Sequence, residues 1–208
     1  MHYVNIIYKM QSIRPKIDTS LANQMHELCK MHEVEKAQTM YDIYKNDVSA
    51  KILSFDGHSD FINACIEGRI DMAKFLYDLF NLSRDNVLFD NNYAFRCACK
   101  NGFLLVAQWL HQICCFNDNE LKIQNNYTLK WACINDHLHM IKWLLNICTY
   151  TEQEIKNAFY LLCLNNNLET TKWFYNTMQE ILNKHIFNIE CVDDMENETF
   201  EWLKTIKI

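Results

Sequence analysis

The chain is poor in the residues that punctuate turn-rich proteins. Its 208 residues include three glycines and one proline. A sandwich or barrel of many short strands needs such turn residues, so their scarcity argues against an all-β fold and favours helices joined by polar loops. The few glycines also leave no glycine-rich phosphate-binding loop. Because no nucleophile elbow or kinase signature occurs either, we expect no enzymatic activity.

Long apolar runs and clusters of basic residues are also missing. No stretch of about 18 apolar residues occurs, and the first apolar run is interrupted by Asn5 and stopped by Lys9, so we expect neither a membrane span nor a signal peptide. The net charge is −6, without a basic stripe. Nucleic acid is therefore not expected as a partner. The ten cysteines are expected to be reduced, as in the cytoplasm.

A repeated unit dominates the sequence. The segment YAFRCACKNGFLLVAQWLHQI at 93–113 returns as YTLKWACINDHLHMIKWLLNI at 127–147. One cysteine, here called the register cysteine, marks each of five copies: Cys29, Cys65, Cys99, Cys133 and Cys163. Their spacings are 36, 34, 34 and 30 residues, which two short helices and two loops fill. Because one copy cannot bury its apolar face alone, we expect the copies to stack.

The pattern predicts an all-α fold in three parts. Residues 1–17 form an N-terminal segment, residues 18–182 form about five helix pairs, and residues 183–208 form C-terminal capping helices. A longer connection, with one helical turn as an option at Val48 to Leu53, is predicted from Lys45 to Gly57.

Local signals mark the turns and helix starts. Gly68 and Gly102 each lie three residues after a register cysteine, where a left-handed residue ends a helix. Thr151 and Glu154 have the spacing of a capping box. The asparagines of the predicted loops favour turns and helix N-caps through their short side chains.

Four register cysteines, Cys65, Cys99, Cys133 and Cys163, and three tryptophans are predicted to be core residues. Trp109, Trp143 and Trp173 share one position on the second helix of successive copies, a position that faces the neighbouring copy. A zinc site at His26, Cys29 and His32, or one involving His111, Cys114 and Cys115, is the metal alternative. Ligands at i, i+3 and i+6 rotate away from each other on a helix and no fourth ligand is evident, so we expect packing without a metal or cofactor.

Four segments carry a likeness to a known family. They are ACIEGRIDMAKFL (64–76), ACKNGFLLVAQWL (98–110), ACINDHLHMIKWL (132–144) and LCLNNNLETTKWF (162–174). These segments resemble the core of the ankyrin repeat over roughly residues 20–180. They look most like the divergent ankyrin proteins of Mimivirus-like giant viruses, in which a Lys-Trp-Leu ending is frequent. The family's Thr-Pro-Leu-His start is YAFR, YTLK and NAFY here, and its Gly-Ala-Asp loop is missing.

The resemblance implies an ankyrin-like solenoid that serves as a non-catalytic protein–protein interaction scaffold. It also implies a viral protein that acts on host or viral proteins, monomeric and in the host cytoplasm, with a partner that the sequence does not name. Two alternatives stay open: a self-associating structural component of a virion or replication factory, and a substrate adaptor for a host ubiquitin ligase.

The family makes its contacts through the loops between repeats and the outer face of each first helix. Carried onto this chain, these positions are Ile66, Glu67, Phe89, Asp90, Asn92, Lys100, Asn101, Ile123, Gln124, Asn126, Ile134 and Asn135.

Overall fold

A computed structural model describes residues 18–52, 57–182 and 197–206. The predicted segment 1–17 and most of the predicted cap at 183–208 lie outside these ranges. Within them the secondary structure is helical and contains no strand, which confirms the all-α prediction. None of the helices in these ranges combines the length and the apolar character needed to cross a bilayer.

The helices of the described ranges are α1 (Asp18–Lys30), α2 (Val34–Ile52), α3 (Gly57–Ile66), α4 (Ile70–Leu79), α5 (Arg84–Val87), α6 (Phe89–Lys100), α7 (Leu104–Cys114), α8 (Asp118–Leu121), α9 (Ile123–Ile134), α10 (Leu138–Ile147), α11 (Glu152–Leu164), α12 (Leu168–Thr177), α13 (Gln179–Leu182) and α14 (Glu198–Thr205).

Polar side chains begin two of these helices in the manner that the sequence predicts. The Thr151 hydroxyl accepts a hydrogen bond from the Glu154 N–H, and the Glu154 carboxylate accepts one from the Thr151 N–H, which confirms the capping box at α11. Asn117 and Glu120 form the same reciprocal pair at α8. Each pair satisfies backbone donors that the first helical turn leaves open.

One left-handed residue ends the first helix of each pair. His32, Gly68, Gly102, Asp136 and Asn166 all lie three residues after a register cysteine, with φ of 60°, 75°, 76°, 58° and 56°. The prediction for the two glycines is confirmed. Glycine takes this conformation without steric cost, and Asn and Asp tolerate it better than most residues. The turn between the two helices therefore depends on the residue at this one position.

The chain divides into two compact units, residues 1–86 and 87–208. In the first unit α1 pairs with α2 and α3 pairs with α4, while α1 also contacts α3 and α2 contacts α4. The Arg69 guanidinium donates from Nη1 to the carbonyl oxygens of Cys29, at 3.2 Å, and Lys30. His26 Nδ1 lies 2.8 Å from the carboxylate of the buried Asp60. These polar contacts join the two helix pairs at the ends of their first helices.

In the second unit α6 pairs with α7, α9 with α10 and α11 with α12. The first helices of these pairs also touch one another in order, α6 to α9 and α9 to α11, and α14 contacts α12. All five register cysteines are buried and none is in a disulfide, which confirms the prediction for Cys65, Cys99, Cys133 and Cys163. A small residue at each of these positions lets the neighbouring helices approach closely. The buried core therefore follows the faces of the first helices that contain the register cysteines.

Two expectations about local packing need correction. Helix α2 continues to Ile52, so the predicted connection from Lys45 to Gly57 is helical over residues 45–52, which is more than the single turn expected there. No Gly or Pro occurs within α2 to end it earlier. The tryptophans are half-buried rather than fully enclosed. Trp143 does contact the preceding pair, with its ring 6.2 Å from that of Phe95 and 5.9 Å from that of His111. The indole is too large for the space between the pairs to cover completely.

Candidate functional site

Two segments of unusual geometry, here called the left-handed loops, interrupt the first turns of helices α6 and α9. Asp90, Asn91 and Asn92 all have left-handed backbone angles, with φ of 48°, 57° and 61°. The segment 124–126, 34 residues later, repeats the conformation with φ of 54°, 58° and 60°. Three consecutive left-handed residues are costly for side chains other than glycine, although Asn and Asp lower that cost. The conformation therefore needs support from neighbouring groups.

Arg96 provides that support to the first loop. Its side chain is 5% exposed. Nε donates to the Asn91 carbonyl at 2.7 Å and Nη2 to the Asp90 carbonyl at 3.0 Å, while Nη1 donates to Gln124 Oε1 at 2.6 Å. One guanidinium thus satisfies two loop carbonyls and holds the next loop in register. A buried guanidinium with these charged hydrogen bonds stabilises the left-handed backbone of the loop.

Asn92 and Asn126 do not belong to the exposed binding surface predicted for them. They are 3% and 6% exposed. Asn92 Nδ2 donates to the Glu120 carbonyl at 3.0 Å, and Asn126 Nδ2 donates to Glu154 Oε1 at 2.8 Å. Each asparagine therefore joins its own loop to a segment 28 residues further along the chain. The prediction is corrected because the amide groups are used inside the fold.

Glu154 is the charged centre of the second junction. Its carboxylate accepts hydrogen bonds from Lys122 Nζ at 3.0 Å and from the Thr151 N–H at 2.7 Å, besides the one from Asn126. Burial by itself would raise the pKa of this carboxyl group, but the hydrogen bonds from Asn126, Thr151 and Lys122 together lower it to about 2. The ionised carboxylate thus ties α8, the second left-handed loop and the start of α11 together.

Several other predicted loop residues do lie on the surface. Phe89 is 57% exposed, an unusual placement for a large apolar side chain. Asp90 and Gln124 are exposed, while Ile123 is half-buried. Gln124 is also engaged with Arg96, so it supports the loop in addition to being accessible.

The predicted residues at the ends of the first helices are mixed in exposure. Asn101 and Asn135 are exposed, whereas Lys100 and Ile134 are half-buried. Lys100 Nζ lies 4.2 Å from the centre of the Trp131 ring. The Lys100 carbonyl accepts a hydrogen bond of 2.6 Å from Asn135 Nδ2. These contacts bring the end of α6 against α9.

The two predicted residues of the first unit lie at the end of α3. Ile66 is half-buried and Glu67 is exposed. The Glu67 carboxylate pairs with Arg69 Nε at 2.9 Å. Exposed ion pairs of this kind contribute little to stability, so the Glu67 side chain stays available for rearrangement, whereas Arg69 is also held by the Cys29 and Lys30 carbonyls.

Sequence reasoning missed the aromatic residues of the first helices. The Arg96 guanidinium carbon lies 5.5 Å from the centre of the Tyr93 ring and 5.0 Å from that of Tyr127. Tyr127 lies 5.8 Å from Trp131, centre to centre. Tyr93 and Tyr127 are 34 residues apart and open the two best copies of the repeat. That shared position on the outer side of the first helix is the signal that could have identified them.

The thiols of the repeat are chemically quiet. Burial, followed by the charge of Asp60, raises the pKa of Cys29 to about 12, and burial raises that of Cys163 to about 12. Burial also raises the pKa values of Cys65, Cys99 and Cys133. A thiol rather than a thiolate is a poor nucleophile and a poor metal ligand. In the ranges 18–52, 57–182 and 197–206, no three His, Cys, Asp or Glu side chains are placed to hold a metal ion.

Comparison with known proteins adds no family assignment. No family model, no curated protein and no solved structure matches the chain.

Proposed function

We propose that this chain is a non-catalytic protein-interaction module, built as an ankyrin-like array of helix pairs and acting for a virus on host or viral proteins. Its binding surface consists of the exposed residues 90–91 and 124–125 of the left-handed loops and the exposed side of the first helices α6, α9 and α11. The resemblance in sequence suggests this function, and the contacts between helix pairs support it.

One recurring hydrogen bond carries the proposal. His137 Nε2 donates to the Lys100 carbonyl at 3.0 Å, and Asn167 Nδ2 donates to the Cys133 carbonyl at 2.9 Å. Asn197 Nδ2 repeats the contact with the Cys163 carbonyl at 3.2 Å. The sequence separations are 37, 34 and 34 residues, close to the repeat period. Each bond satisfies a carbonyl at the end of one first helix with a side chain of the following pair or, for Asn197, of the residue that caps the start of α14, as stacked repeats require.

A stacked array favours binding because it offers an extended surface with a fixed shape. In the second unit the first helices contact one another in order, so their outer sides form neighbouring parts of one surface. Arg96 and Glu154 hold the loops between them by several charged hydrogen bonds each. A surface that is ordered in advance loses less conformational entropy when a partner binds.

The test compares two exposed apolar residues, one on a first helix and one on a second helix. Phe89, which opens α6 at the loop, is 57% exposed, and Leu105, on the second helix α7, is 66% exposed. The tagged full chain and its variants Phe89→Asp and Leu105→Asp are used to retain proteins from expressing cells. Retained proteins are identified by mass spectrometry and then purified for calorimetry with each variant. Circular dichroism is the control that the two variants fold as the wild-type chain does.

The proposal expects a protein that binds wild type and Leu105→Asp but loses at least about tenfold in affinity with Phe89→Asp, which is about 1.4 kcal/mol. Failure to reconstitute any such complex, or equal sensitivity to both substitutions, would contradict it. Light scattering of the purified chain covers the remaining possibility. A mass that rises with concentration and falls with Phe89→Asp would mean that the surface binds a second copy of the chain instead.

A further inference from the structure

Five side chains form an unbroken line across α6 and α9. The order is Tyr93, Arg96, Tyr127, Trp131 and Lys100, in which each member contacts the next, at distances between 4.2 and 5.8 Å. We call this line the cation–aromatic strip. Tyr93 is 37% exposed, while Tyr127, Trp131 and Lys100 are half-buried. The strip is therefore partly open to solvent, with Arg96 enclosed between its two tyrosine rings.

The positive charge of these two helices is not balanced locally. Helices α6 and α9 contain Arg96, Lys100 and Lys130 against the single acid Asp90, which is three positive charges less one, or +2, while the whole chain has −6. Within the described ranges, no carboxylate forms an ion pair with any of the three cations. Arg96 bonds only to neutral oxygen atoms. A carboxylate approaching this face would therefore meet unneutralised positive charge.

We propose that the cation–aromatic strip, together with Lys130, binds an acidic segment of a protein partner. This inference rests on the proposed function and names the chemistry of the partner. Carboxylates of the segment pair with Lys100 and Lys130, and its apolar groups lie against the exposed edges of Tyr93 and Trp131. Arg96 is too buried to touch the segment and contributes through its charge.

The observations favour an acidic peptide over a nucleic acid. Single-stranded nucleic acid needs aromatic faces on which bases can stack, together with a groove of many cations. Here a face of Tyr127 is covered by Arg96 and a face of Trp131 by Lys100. The charge of −6 on the whole chain would also repel a long polyanion. A short acidic segment needs only the local positive field.

The test uses fluorescein-labelled oligoglutamate as the probe, read by fluorescence anisotropy with the full chain. Oligoglutamine of equal length measures binding without charge, and oligothymidylate measures binding of a nucleic acid. The test variant is Lys100→Met with Lys130→Met, in which methionine keeps the apolar stem of each side chain. The matched control is Lys142→Met, because Lys142 Nζ lies 4.8 Å from the Trp173 ring centre on the second helices and makes the same kind of contact.

The proposal expects oligoglutamate to bind wild type and Lys142→Met equally, and to bind the double variant at least about tenfold more weakly. Affinity should fall as salt rises, with a smaller dependence in the double variant. If the double variant folds poorly, Lys130→Met alone is used instead. The proposal then expects weaker binding of oligoglutamate by Lys130→Met and a wild-type affinity that falls as salt rises.

Three outcomes would overturn the inference: no binding of oligoglutamate above oligoglutamine, equal losses in Lys142→Met and the double variant, or tighter binding of oligothymidylate. The failure of this inference can be told from that of the proposed function. A reconstituted partner that is sensitive to Phe89→Asp, with no binding of oligoglutamate, leaves the interaction module standing and removes only its acidic ligand. Binding of oligoglutamate without any such partner would support an acidic ligand for the strip and contradict the proposed interaction function.

Discussion

Replacing Gly102 with alanine tests a close approach between two helix pairs of the second unit. Gly102 has φ of 76°, and a Cβ atom added there would lie 2.7 Å from Nδ1 of His137 and 2.8 Å from its Cε1 and Cγ atoms. The imidazole would have to move. Its Nε2 donates the hydrogen bond to the Lys100 carbonyl that links the pairs, so moving the ring also breaks that bond.

The expected cost has two parts. A residue other than glycine in the left-handed conformation costs about 1 kcal/mol. Displacing the ring and losing its hydrogen bond to the Lys100 carbonyl, which keeps the one from Asn135, costs about 1 to 2 kcal/mol more. We therefore expect Gly102→Ala to lower the free energy of unfolding by about 2 to 3 kcal/mol. In a His137→Ala background only the first part remains, so the same substitution should cost about 1 kcal/mol.

Urea unfolding of the four proteins of this double-mutant cycle, followed by circular dichroism, measures both numbers. Asp136→Ala is a useful control because Asp136 already has a Cβ at the equivalent left-handed position, with φ of 58°. We expect it to cost less than about 1 kcal/mol. Equal costs of Gly102→Ala with and without the imidazole would refute the contact between the pairs as the reason for the glycine.

Two further predictions follow from side chains that join the helix pairs. The pKa of Glu154 is lowered to about 2 in the folded protein. The stability that Glu154 contributes is therefore present above the unfolded pKa and is lost as pH falls from about 5 to 2. Because the carboxylate is partly exposed, we expect the free energy of unfolding to fall by about 1 to 3 kcal/mol over this range. Glu154→Gln should flatten the acid limb of a plot of stability against pH, whereas Glu152→Gln, at an exposed site, should not. Trp143→Ala should lower the free energy of unfolding by about 2 to 4 kcal/mol, since the half-buried ring packs on Phe95 and His111. A urea midpoint no lower than that of Leu105→Ala would mean that Trp143 contributes nothing to the core.

The sequence alone determined the features that depend on neighbouring residues. The capping box of Thr151 and Glu154 needs only a hydroxyl and a carboxylate three residues apart. The left-handed conformation of Gly68 and Gly102 was predictable because glycine takes it at the end of a helix without steric cost. Burial of the register cysteines follows from a small apolar residue at a fixed place in a repeated amphipathic pattern.

The tertiary structure decided the use of polar side chains whose partners are distant in sequence. Asn92 and Asn126 looked like loop residues, and only the approach of segments 28 residues away buries their amides. The enclosure of Arg96 depends in the same way on Gln124 and Tyr127 from the next helix pair. A polar residue is compatible with either water or a buried partner at similar free energy. Its own sequence neighbourhood therefore carries no signal that separates the two, and the packing of one helix pair on the next makes the choice.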